Sequence, residues 1–170
     1  MTYRYLSVGL VMLSGCGTAQ DLDGTRPLDA YETAVADITL GFWEERFGTV
    51  PSECERQRAG LWIADLSDGA YEHHCPETSL ACYLPYLRTI LIRSSVIDKG
   101  AAPSNTNLWW TEGHLVSHEY LHFLSGCSVT SGNGDHSNPA VWMFAGSDGS
   151  VEERSLTLML ETGVLVRGGW

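Results

Sequence analysis

The chain has 170 residues, of which 44% are hydrophobic and 18% charged, and its formal net charge is −11. That is enough apolar material for one domain with an ordinary core. The acidic balance excludes a nucleic-acid partner, because a phosphate backbone demands a cationic surface.

The N-terminus "MTYRYLSVGLVMLSGC" carries one positive charge, Arg4, then an apolar run from Leu6 to Leu13, then small residues and Cys16. This is a secretory signal pattern, and the apolar run is too short to span a bilayer as a helix. The ending "LSGC" resembles the lipobox of bacterial lipoproteins, which implies cleavage before Cys16 and its lipidation. Residues 1–15 are therefore expected to be a lipoprotein signal peptide. Residues 16–28, polar and turn-rich, are expected to be a flexible tether, and residues 29–170 the folded domain. The protein is expected to be exported and held at a bacterial membrane by a lipid anchor at Cys16.

Within the domain, Tyr31, Val35, Ile38 and Phe42 recur at helical spacing, with Asp29 as a cap and Gly48 and Pro51 as stops. "LWIADL" (61–66) reads as a strand followed by the turn "SDGA", and "RTILIRSSV" (88–96) as a second strand. The segment 98–107 is a loop. From Leu108 to about Ser125 apolar residues fall on most sides of a helix, which implies that it is largely buried, and Gly126 is expected to close it. Residues 128–139 form a polar loop. "SVEERSLTLMLETG" (150–163) reads as a last helix with Ser150 as its cap, Glu153 three residues on and Gly163 at its end. The order predicts an α+β fold: a short sheet packed on a buried helix, with further helices at both ends of the domain.

Apart from Cys16 the cysteines are Cys54, Cys75, Cys82 and Cys127. Four cysteines in an exported domain predict two disulfides, with three possible pairings. Loop closure favours Cys75–Cys82, since a short loop costs least to close, which leaves Cys54–Cys127. A four-cysteine zinc site is the rival, but the paired C-x2-C spacing is missing.

The buried helix contains "HLVSHEYLH". His118 and His122 lie four residues apart, one turn apart on one face, so both imidazoles can reach one ion. Glu119 is placed to take a proton from water at that ion. With six histidines and twelve glutamates in the chain, about 0.015 chance matches to H-E-x-x-H are expected. Histidines in a core can instead be held by hydrogen bonds, yet buried polar groups need partners and a metal supplies them. His114 is too far along the helix to share an ion with both His118 and His122, at 1.5 Å rise per residue. It is expected at the rim of the site or behind a ligand. His73 and His74 precede the site and are expected in an exposed turn.

"HEYLH" resembles the signature of the zincin metallopeptidases. The resemblance implies a zincin-like domain, Zn2+ as cofactor, His118 and His122 as ligands, Glu119 as the catalytic base, and a peptide or protein as substrate. The metzincin extension is missing, because Ser125 and Ser128 stand where glycine and histidine are required. A catalytic zinc needs a third protein ligand. The foremost candidate is His136; Glu152, Glu153 and Asp135 are the alternatives. The string "GDHSNPAVW" after the helix is similar to that of small exported metallopeptidase-like lipoproteins of soil bacteria. The strand 88–96 is expected to form an edge that binds an extended peptide. The other class of function consistent with these residues is a zincin-like domain that binds metal or a partner without catalysis.

Replacement of Cys16 by serine is expected to release the protein from the membrane fraction or to leave the signal uncleaved. Normal processing and full membrane retention of that variant, followed by fractionation and intact mass, would refute lipidation.

Overall fold

The computed structural model describes residues 22–97, 111–128, 136–143 and 149–165. The expected signal peptide, Cys16, Asp135 and the expected start of the buried helix at Leu108 lie outside these residues. In chain order the elements are β1 (Arg26–Pro27), α1 (Ala30–Phe47), α2 (Ser52–Arg58), β2 (Trp62–Leu66), α3 (Asp68–Glu72), β3 (Ala81–Leu84), β4 (Thr89–Arg93), α4 (Ser94–Ile97), α5 (Glu112–Cys127) and α6 (Val151–Thr162).

The four strands form one sheet in the order β1-β2-β4-β3. β2 and β4 run parallel, with Ile63 opposite Ile90, whereas β1 and β3 are antiparallel to their neighbours. The expectation that the 88–96 strand is an edge is corrected here. All five residues of β4 are buried, as a continuous run of Thr, Ile, Leu and Ile requires of a strand covered on both faces. The edges of the sheet are β1 and β3, and neither is predicted as a strand from the sequence. The "SDGA" turn is drawn into α3. Residues 22–28 also differ from expectation. Arg26 and Pro27 pair with β2, and Arg26 makes a two-pronged ion pair to the buried Glu32 with both contacts at 2.7 Å, so the fold begins before Asp29.

One face of the sheet carries the main core. Ile63, Ile90 and Ile92 pack there with Val35 and Trp43 of α1, Val116, Leu121 and Leu124 of α5, and Leu156 and Met159 of α6. The other face holds a smaller cluster of Ala64, Tyr71, Cys75, Leu84 and Leu91. α1 starts at a capping box formed by Asp29 and Glu32, and α6 starts at Ser150 and stops at Gly163, which adopts φ 73°. α5 runs through Gly126 to Cys127 rather than ending at the glycine. Gly113 is where α5 needs a glycine, since a Cβ there would lie 2.9 Å from both the Leu165 carbonyl oxygen and the Tyr31 hydroxyl.

Two disulfides are present, Cys54–Cys127 and Cys75–Cys82. The first joins α2 to the C-terminal end of α5 across a sequence separation of 73 residues; the second closes a loop onto β3 across 7. By chain entropy the long loop contributes about 4 kcal/mol and the short one about 2 kcal/mol. Urea denaturation should therefore find the Cys54→Ser/Cys127→Ser double variant less stable than Cys75→Ser/Cys82→Ser. Equal losses, or the reverse order, would show that chain entropy does not govern these links.

Candidate metal centre

α5 is buried along most of its length, and its polar residues are placed individually. Thr111 caps the helix by accepting from the His114 N–H. Behind the site, Ser117 and Thr39 of α1 share a hydrogen bond of 2.8 Å. On the side facing β3 and α6, the helix presents His114, His118 and Glu119 to a cleft of about 350 Å³. Ser79, Leu80 and Ala81 form the wall at the start of the edge strand, while Trp142, Met143 and Glu152 close the opposite side.

His136 follows α5 in the chain, and its ring meets those of the helix. The metal-binding atoms of His118, His122 and His136 all lie within 4.8 Å of one another. Nε2 of His118 stands 3.1 Å from Nε2 of His136. His136 holds this position with a φ of 64°, the left-handed region that a non-glycine residue adopts at a cost of about 1–2 kcal/mol. Trp142 backs the trio: its ring lies 5.0, 4.6 and 4.4 Å from the rings of His118, His122 and His136.

A second group of metal-binding side chains shares His118. It consists of His114, His118 and Glu152. One oxygen of Glu152 lies at hydrogen-bond distance from Nδ1 of His118, 2.6 Å, and from Nε2 of His114, 3.2 Å, and the other accepts from the Met143 backbone N–H at 2.7 Å. Burial opposes ionisation of Glu152, but the hydrogen bonds from His114, His118 and Met143 outweigh it and hold the carboxyl well below the usual carboxylate range. Burial likewise disfavours a charged His118, yet its bond to Glu152 and the nearby charge of Glu119 raise its pKa.

Glu119 is only 5% exposed. Burial pushes its carboxyl up to about 7, against the opposing pull of His118 and of a hydrogen bond from the Tyr83 backbone on β3. A divalent cation beside it would favour the ionised form.

The site thus brings His118, His122 and His136 together and sets Glu119, with His118 and His136, on the wall of the cleft. Glu152 sits behind His118, and His114 supports Glu152. Glu153 lies apart: its carboxylate accepts from the Gly149 N–H at the start of α6. His73 and His74 are exposed beyond α3 and belong to neither group of metal-binding side chains among the described residues. The sequence reading missed Trp142 and the β3 wall. β3 is four residues long and interrupted by Cys82; the only signal was an apolar "ACYL" stopped by Pro85. Comparison with protein-family models, curated proteins and solved structures gives no match.

The donor set suits a divalent ion that prefers imidazole nitrogen. Two nitrogens bound tetrahedrally at about 2.0–2.1 Å stand about 3.3 Å apart, close to the 3.1 Å between the two Nε2 atoms. His136→Ala should therefore weaken zinc binding at least tenfold in competition with a chromophoric chelator, while Glu153→Ala leaves it within twofold. Unchanged affinity on loss of His136 would remove it from the ligand set.

Proposed function

We propose that this domain binds one zinc ion through His118, His122 and His136 and hydrolyses peptide bonds at the cell envelope. The observation that carries the reading is the meeting of the three imidazoles, two of which, His118 and His136, line a cleft whose wall includes Glu119. When bound there, zinc supplies Lewis acidity, lowering the pKa of water and polarising a carbonyl.

The chain's own residues do the rest. The hydrogen bond to Glu152 puts the His118 proton on Nδ1 and leaves the Nε2 lone pair directed at His136. Glu119 exchanges a proton between water and the leaving amine, a task suited to a carboxyl whose pKa lies near 7. Trp142 walls off one side of the three rings, and the edge strand β3 offers backbone groups to an extended peptide. Anchoring rests on the "LSGC" sequence; among the described residues no helix is long and apolar enough to cross a membrane.

A second reading has its own support: a domain that binds metal or a partner and hydrolyses nothing. Glu119 is almost enclosed and tied to the Tyr83 backbone, so a structural link between α5 and the edge strand accounts for it without catalysis. The metal-binding half of the proposal is common to both readings, and hydrolysis rests on Glu119.

Zinc content and cleavage of a mixed peptide library, measured on wild type and Glu119→Gln together, separate them. The proposal expects about one zinc per chain in both proteins and cleavage by wild type alone, reduced at least a hundredfold in the variant. Zinc-loaded wild type that cleaves nothing would establish the second reading.

A further inference from the structure

Two groups of side chains around His118 have the composition of a metal site, and they differ in geometry. We propose that only the His118–His122–His136 group takes an ion, and that Glu152, with His114 behind it, is a positioning residue that fixes the tautomer of His118 and ties the Trp142 turn to the ligand helix. The inference rests on the metal-binding half of the function proposed above.

Distance decides between the groups. In the His114–His118–Glu152 group, Nδ1 of His118 and the Glu152 oxygen are 2.6 Å apart. An ion bound to both at about 2.05 Å would subtend an angle of about 80°, far from tetrahedral. The same distance is ordinary for a charge-assisted hydrogen bond. In the other group, the 3.1 Å between Nε2 of His118 and Nε2 of His136 gives an angle of about 100° with the same bond length.

Proton counting agrees. Both oxygens of Glu152 are occupied, one by two ring nitrogens and the other by a backbone N–H, the pattern of a carboxylate that accepts from each. That pattern calls for Nδ1 of His118 and Nε2 of His114 each to carry a hydrogen towards Glu152. For a neutral His118, that leaves Nε2 as a lone pair aimed at His136. Glu152 already has three donors and is 3% exposed, so its charge is satisfied without an ion. Its second oxygen holds the Met143 N–H, and its own N–H donates to the Val141 carbonyl. These two bonds bracket Trp142, whose ring packs on all three imidazoles. One carboxylate thus sets both the proton on a ligand and the wall beside it.

The test uses the full-length, disulfide-bonded protein with 15N-labelled histidine. Ring-nitrogen chemical shifts of the chelator-stripped wild type are expected to show His118 protonated on Nδ1; protonation on Nε2 alone overturns the proposal. Glu152→Ala is expected to shift the proton towards Nε2 and to weaken zinc binding about 10–100-fold. Glu152→Gln, which keeps an accepting oxygen, should fall between that variant and wild type, and it serves if the alanine variant does not fold. Zinc titration is expected to saturate at one ion per chain. Two ions per chain, or full affinity in the glutamine and alanine variants alike, overturns the inference while leaving metal binding intact. A wild type that takes up no zinc, yet protonates His118 on Nδ1, overturns the metal-binding reading and leaves the orientation of His118 by Glu152 standing.

Discussion

The constraint on which the rest of this structure depends is that α5 is buried and polar at once. A helix enclosed by α1, α6 and the sheet gains stability from Val116, Leu121 and Leu124, but it also carries His114, Ser117, His118 and Glu119 into that interior. Each such group left without a partner costs about 1–3 kcal/mol, and together they would be comparable with the whole stability of a small domain. The surrounding elements answer residue by residue. Thr39 of α1 meets Ser117, the backbone of β3 meets Glu119, and α6 brings Glu152 to His114 and His118. The packing of two helices and an edge strand around α5 is in this sense the means by which its polar face is tolerated.

That account explains why the site falls where it does. Glu152 is the second residue of α6, so it reaches His118 only because Ser150 starts the helix beside α5 and Met159 packs its far end into the core. Its neighbour Glu153 is one position on and turns to the helix's own N-terminus, where the exposed N–H groups favour a carboxylate. Two adjacent glutamates with the same chemistry therefore have unlike roles, set by a rotation of about 100° around the helix axis. At the other end of α5, the disulfide from Cys127 to Cys54 fixes the point from which the chain departs towards His136.

Much of this was legible in the sequence, and the failures are informative. α1, β2, β4 and α6 announce themselves through apolar periodicity and caps such as Asp29, Ser150 and Gly163. The pairing of His118 with His122 and the place of Glu119 beside them follow from helical spacing alone. α2 was not legible, because "SECERQR" buries only Cys54 and has no apolar face. β3 was not legible because four residues between a disulfide loop and Pro85 leave too little pattern, and its role as the edge was assigned to β4. The role of Glu152 was beyond reach for a different reason. A glutamate near a metal helix can ligate or orient, and only the 2.6 Å contact to Nδ1 separates the two.

The same contact clarifies how the two ends of one imidazole divide the site. On the Nδ1 side of His118 the polar groups are complementary: donors from His114, His118 and Met143 converge on one carboxylate, and nothing further is required. On the Nε2 side the metal-binding atoms of three imidazoles lie within 4.8 Å of one another, with His118 and His136 at hydrogen-bond distance, and each neutral ring carries one lone pair. Protonating the rings would gather positive charge in a half-buried site, which burial opposes. The donor set suits a divalent cation held by all three rings at once. Its charge would also lie beside Glu119, whose carboxyl burial pushes up to about 7. Ionisation of Glu119 and occupation of the three-histidine point are thus coupled by electrostatics, each favouring the other, whether the outcome is hydrolysis or binding alone.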